Sequence, residues 1–241
     1  MKRIIIYGGT SLLSIEFIKK YKHEINEFIV VTRNKEKLEK KISKFKDSTK
    51  NKIKIHKIDL LDLENNLAFT NSLEKNSLDG IFFVMGETGD PEIEIEDFKK
   101  CLNNYKINLV HPVLVINSLI PKLNKNSYIC VFTSVAGIRG RALRMFYCSA
   151  KAGLISYLSG LRQKLHHKNV SVINVVAGYM DTEKFNYKAN KFLISKPEKV
   201  IDRIYDGIKN KKETIYSSFF WFIISIIIMF IPEKIFKKLK F

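Results

Sequence analysis

Short runs rich in Ile, Val, Phe and Leu recur along the chain, separated by polar, glycine-containing or charged stretches. Lys2–Tyr7 (KRIIIY) fits a strand buried in a parallel sheet. Phe28–Thr32, Lys52–Ile58, Asp79–Met85, Ser127–Thr133 and Val170–Val176 read as further strands, and Thr214–Tyr216 as a final edge strand. Between them, helical patterns run from the first glycine turn through Tyr21, over Glu36–Phe45, over Ile95–Leu119, around Tyr147–Lys151, and over Lys196–Lys209 after Ser195. The Glu36–Phe45 helix is lysine-rich and reads as a solvated face. The alternation predicts an α/β fold: a Rossmann-type doubly wound parallel sheet in three layers, α/β/α.

The last stretch departs from this pattern. Phe219–Ile231 is apolar except for Ser225, and Pro232 then opens a basic, amphipathic segment to Phe241. A membrane-spanning helix needs about 20 apolar residues, more than this run supplies. Lysines placed after it suit anionic headgroups, so the tail reads as lying in a lipid interface. Burial in a core or dimer interface, and a true span, are the other readings. The chain thus divides into a nucleotide-binding and catalytic domain, residues 1–216, and a hydrophobic, basic tail, residues 217–241, that meets the membrane surface.

Composition narrows the class. At 241 residues and 46% hydrophobic, 27% charged, the chain is globular and long enough for one α/β domain with a sizeable core. The formal charge of +18 points to nucleic acid, a membrane surface or anionic substrates, or reflects a Lys- and Asn-rich composition alone. No recognition motif supports nucleic acid. Cys101, Cys130 and Cys148 make no metal or redox spacing and read as free thiols of a reducing compartment. The five histidines show no metal spacing, so no metal site is expected, and His166-His167 reads as a solvated helix end. The chain begins directly on a strand and offers no signal peptide.

Candidate chemistry concentrates in Thr133–Leu154, TSVAGIRGRALRMFYCSAKAGL. Tyr147 and Lys151 stand four apart in a helical segment, so phenol and ammonium share a face. A nearby cation favours the phenolate and would lower a tyrosine pKa ordinarily near 10. Ser134 can hold a carbonyl against that phenol. Such a set suits proton transfer to oxygen while a hydride moves at carbon; a solvated Tyr–Lys pair is the plainer reading. Arg139, Arg141 and Arg144 lie between Ser134 and Tyr147 and suit an anionic substrate, or else form a solvated basic loop. The first strand runs through Gly8 into Thr10, Ser11 and Leu13 at a helix start, a natural site for a pyrophosphate. Arg33 ends the second strand where an acid would bind a ribose hydroxyl, which favours NADPH over NADH.

The Ser-to-Tyr-to-Lys spacing within T-S-V-A-G and Y-x-S-x-K-A-G-L resembles the short-chain dehydrogenase/reductase family, and the resemblance covers almost the whole chain. It implies a hydride-transferring oxidoreductase in which Tyr147 is the proton donor, Lys151 lowers its pKa and holds the cofactor ribose, and Ser134 orients the carbonyl. It also implies that Asn108 holds a proton-relay water where its helix kinks, with Pro112 adding distortion. Asp59 and Leu60 would face the adenine, Gly86 would allow backbone to approach the cofactor, and Thr182 would contact it. Lys184–Leu193 would be a substrate lid. The glycine loop keeps Gly8 but carries Leu12 and Ser14 at the family's other two glycine positions, and Ala177 replaces the proline before Gly178. G-G-T-S, G-x-x-G-D, the S-V-A-G-x-R-x-R loop and the tail's I-P-x-x-I-F look most like decaprenylphosphoryl-2-keto-β-D-erythro-pentose reductases. That branch implies an NADPH-dependent reduction of a polyprenyl-phosphate-linked keto sugar, the second step of a ribose-to-arabinose epimerisation in cell-envelope polysaccharide synthesis. It further implies an oxidase partner and a cytoplasmic protein peripheral on the inner face of the membrane; homo-oligomerisation is left open. The rivals are a soluble reductase of 3-oxoacyl or small ketone substrates and a non-catalytic NADP-binding scaffold.

Overall fold

The computed structural model describes residues 2–89, 97–181 and 190–239. Seven strands form one sheet: β1 (Arg3–Tyr7), β2 (Glu27–Thr32), β3 (Ile53–Lys57), β4 (Leu78–Phe83), β5 (Leu123–Ser134), β6 (Ser171–Ala177) and β7 (Thr214–Tyr216). Their order is 3-2-1-4-5-6-7 and every pairing is parallel. The order reverses between β1 and β4, so a crevice opens at the carboxyl ends of those strands.

Side chains alternate across each strand, and this builds two cores. Ile4, Ile6, Phe28, Val30, Phe82 and Phe132 face one side. They pack under α1 (Leu12–Tyr21), α2 (Lys35–Ile42) and a later helix through Val200, Ile201 and Ile204. Ile5, Tyr7, Ile29, Ile81 and Val131 face the other side, against helices that supply Val115, Leu119, Leu154, Leu158 and Leu161. The doubly wound, three-layer expectation is met.

Three differences from the sequence reading have local causes. α3 (Leu63–Ser72) lacks an apolar stripe because the residues it buries fully are Asn66 and Thr70. The Asn66 amide nitrogen donates to the carbonyls of Asp59 and Asp62 at 2.7 and 2.6 Å. β5 begins at Leu123, and its pairing with β4 shifts register before Tyr128, where Asn126 sits at φ +61°. The expected helix over Ile95–Leu119 is α4 (Phe98–Tyr105), a π turn over Lys106–Val110, and α5 (His111–Leu119). Residues 95 and 96 lie outside the described residues.

The second half continues with α6 (Met145–Leu165), α7 (Pro197–Lys209), α8 (Phe219–Phe230) and the short α9 (Glu233–Phe236). The tail is packed onto the domain. Trp221 is buried in a small cluster with Val135 and Val176, and its indole N–H donates to the Leu193 carbonyl at 2.8 Å. A Cβ at Gly178 would overlap the Trp221 ring, so glycine here serves the tail's docking.

Candidate active site

The crevice beside β1 and β4 is a cavity of about 250 Å³. Gly8 turns out of β1 at φ +93°, and a Cβ there would collide with the Val84 carbonyl oxygen. Ser11 caps α1 by accepting the Leu13 N–H at 3.3 Å. Ser14, which stands where the family has glycine, is fully buried and donates to the Gly8 carbonyl at 2.9 Å. That hydrogen bond closes the turn, so the replacement is accommodated. Gly8, Thr10, Ser11, Arg33, Asp59, Leu60 and Gly86 all line the cavity. Leu13 does not: its side chain is in the core under the sheet, and Leu12 lines the cavity instead.

Lys37 and Lys41 also line it, one turn apart on α2 beside Arg33. The charged face of this helix is solvated as expected, and two of its lysines also border the cavity; the i, i+4 spacing after Arg33 is the sequence signal for that. Arg33, Lys37 and Lys41 give the end of β2 a cationic rim that fits a 2′-phosphate. Arg33 also pairs with Glu87 across the mouth at 3.3 Å, an exposed contact worth little in stability. Glycine at the turn, the helix start and this rim together fit a dinucleotide phosphate.

Next to the cavity, β5 delivers Ser134 and α6 delivers Tyr147 and Lys151. The Ser134 hydroxyl sits near enough to the Tyr147 phenol to favour its charged form. Ser134 also accepts the Ala136 N–H at 3.1 Å, which fixes its rotamer. Lys151 is 2% exposed, donates to the Met85 carbonyl at 3.3 Å, and lies 5.7 Å from the centroid of the Tyr147 ring. Gly86 leaves the space these groups occupy: a Cβ would sit 2.8 Å from Asn108 Oδ1 and 2.9 Å from Lys151 Nζ.

The electrostatics correct the expected acidification of Tyr147. Burial raises the phenol above its ordinary value, while the Ser134 hydroxyl and, more weakly, Arg141 and Arg144 pull it down. Burial likewise pushes the Lys151 ammonium down to about 8. Each group is governed by its loss of water, and the ammonium faces backbone carbonyls and the face of the ring.

Asn108 is fully buried within the π turn. Its amide donates to Glu87 O at 2.8 Å and to the Asn104 carbonyl at 3.0 Å, and accepts the Glu87 N–H at 3.2 Å. The side chain therefore ties the helix to the loop after β4. Pro112 has no N–H to return to the carbonyl four residues back, which is that of Asn108. Where a kink is expected, Asn108 lies in a π turn whose closing bond runs from His111 N–H to Lys106 O.

The three arginines do not form one anion site. Arg139 is bound to the tail: it donates to the carbonyls of Ile228 and Ile231, pairs with Glu233, and stacks 3.8 Å over the Phe236 ring. Arg144 donates to the carbonyls of Thr88 and Gly89 and so secures the loop after β4. Arg141 lines a second cavity of about 590 Å³, between the loop at 137–142, the start of α6 and the tail residues Phe236, Lys237 and Leu239. Thr182, and Lys184–Leu193 up to residue 189, lie outside the described residues.

A family model described as short chain dehydrogenase matches residues 2–191. A 3-oxoacyl-[acyl-carrier-protein] reductase of Rickettsia felis is 27% identical over 184 residues, 72% of each chain. A short-chain dehydrogenase structure from Streptomyces avermitilis superposes with a TM-score of 0.79 at 15% identity, covering 94% of this chain and 92% of that one. A short-chain dehydrogenase of Burkholderia cenocepacia in complex with NADP also gives 0.79, at 15% identity, over 96% and 100% of the two chains. At such identities the structural likeness establishes the fold.

Proposed function

Because the chain belongs to the short-chain dehydrogenase family, we propose that it is an NADPH-dependent ketone reductase. The observation that carries this is Ser134 at the end of β5 with Tyr147 and buried Lys151 one helical turn apart on α6, beside a cavity with a cationic rim. NADPH, when bound, supplies the hydride for the carbonyl carbon; the NADP-bound relative supports the same cofactor. Ser134 holds the carbonyl oxygen and Tyr147 gives that oxygen its proton, so the product leaves as an alcohol. Tyr147, like any phenol whose pKa is at or above its ordinary value near 10, is protonated at neutral pH, the state a proton donor starts from. Lys151, titrating near 8, keeps its charge at neutral pH beside the Tyr147 ring and is placed to hold the cofactor ribose. Asn108 keeps the loop carrying Gly86 and Glu87 in place around Lys151.

The substrate we propose is a polyprenyl-phosphate-linked keto sugar, reduced in the second step of a ribose-to-arabinose epimerisation after an oxidase partner. Arg141 and Lys237 among the apolar walls of the second cavity suit a phosphate joined to a hydrocarbon chain. On this reading the protein is cytoplasmic and peripheral on the inner face of the membrane, where such lipids are met. A second reading is a reductase of 3-oxoacyl thioesters, favoured by the name of the Rickettsia felis relative. NADPH oxidation against lipid-linked keto sugars and 3-oxoacyl thioesters decides between them: faster turnover of the thioesters rejects the sugar. Tyr147→Phe lowers turnover by about 10²–10⁴-fold with the preferred substrate while the thermal shift caused by NADPH persists. Undiminished turnover in that variant removes Tyr147 from the mechanism.

A further inference from the structure

We propose that the outer face of α8, continued by the lysines around α9, is a docking surface for an anionic lipid bilayer. A surface helix ordinarily turns polar residues to water. In α8 the inward stripe is Trp221, Ile224, Ser225 and Ile228, and what remains for the outside is apolar. Phe219, Phe220, Ile226, Ile227, Met229 and Phe230 are all exposed, Phe230 by 76%. Phe192, 73% exposed, extends the patch beside Phe220, with ring centroids 6.4 Å apart. No charged residue interrupts Phe219–Ile231, and exposed Lys234, Lys237 and Lys238 follow at one end.

This arrangement selects the occupant. An apolar plate bordered by ammonium groups matches hydrocarbon below a layer of anionic headgroups. A second copy would bring like-charged lysine borders together on a chain of formal charge +18. At 12 residues α8 is about 18 Å long, against a hydrocarbon core of about 30 Å. It is also held along its length, by Trp221 beneath Gly178 and by Arg139 at its carboxyl end. The helix therefore lies flat on the bilayer with the domain above it. Arg139 belongs to the loop between Ser134 and Tyr147, so docking fixes the second cavity, with Arg141 and Leu239 in its walls, beside the lipid surface. The inference rests on the peripheral placement proposed above and is independent of which ketone is reduced.

The test is sedimentation of the full chain with vesicles of phosphatidylcholine alone or mixed with phosphatidylglycerol, without substrate. The expected result is strong binding to the mixed vesicles and weak binding to the neutral ones. Ile227→Glu with Phe230→Glu, both at exposed positions, lowers the bound fraction about tenfold. The same variant keeps the wild-type NADPH thermal shift, which shows that the domain is folded. Lys237→Glu with Lys238→Glu removes the preference for the anionic vesicles. Vesicle binding unchanged by the apolar-face variant overturns the proposal. So does wild-type protein that ignores vesicles but forms a dimer that Ile227→Glu dissociates. Turnover of the ketone panel is measured separately, so a wrong substrate does not imitate a failed docking.

Discussion

Lys151 shows how much of this site's character comes from a single buried ammonium. It is 2% exposed, and its hydrogen bonds go to backbone carbonyls rather than to a carboxylate. Burial without a counter-charge is why its pKa falls to about 8 from 10.5. Between those two values the unfolded chain holds a proton that the folded chain has released, so stability rises with pH across that window. Below about 8 the folded protein carries the full penalty of the buried charge. Lys151→Met should therefore stabilise the protein at pH 7 by on the order of 1–3 kcal/mol, with the gain fading as pH approaches 10.5. Urea unfolding of both proteins at pH 7 and pH 10 measures this, and the variant should at the same time lose turnover. A lysine whose removal both stabilises and inactivates is one kept for chemistry.

Among the elements, α8 is the one whose seat on the domain a linear reading does not reveal. Its apolar run is visible in the sequence, but its attachment depends on Gly178, more than forty positions earlier. Trp221 occupies the space a Cβ at 178 would need. Gly178→Ala should therefore force the indole out and destabilise the protein by about 2–4 kcal/mol. Trp221 is the one tryptophan in the chain, so a red-shifted, more quenchable emission reports the displacement directly. Unchanged emission would mean that the helix shifts with its ring still covered. The π turn at Lys106–Val110 is another such case. Asn108 and Pro112 marked where the helix would distort, and the bonding of Asn108 to Glu87 decided the form.

At the level of the entire chain, Arg139 joins two regions that the sequence reading kept apart as domain and tail. It holds the carbonyls at the end of α8, Glu233 and the ring of Phe236, from within the loop that links Ser134 to Tyr147. Arg139→Ala should release the segment after residue 228 while leaving the nucleotide cavity, which Arg139 does not line, as it was. Limited proteolysis should then cut that segment about tenfold faster, with the NADPH thermal shift retained. Equal protection in both proteins would show that Trp221 alone suffices to hold the tail. The described residues contain no helix long and apolar enough to cross a membrane, which is consistent with a tail lying along the domain.

The parallel sheet and the spacing of Ser134, Tyr147 and Lys151 could be read in advance, because strand runs and helical spacing are local properties of a chain. Gly8 and Gly86 were legible for the same reason, since each follows a strand end where backbone must pass closely. Partnerships between distant residues were not. The separate fates of Arg139, Arg141 and Arg144, the cationic rim made by Lys37 and Lys41, and the seat of Trp221 on Gly178 depend on which surfaces meet once the layers pack. The direction of the Tyr147 shift was misjudged on the same grounds. Spacing supplies the neighbouring charge, whereas the water lost around phenol and ammonium is a property of the assembled core.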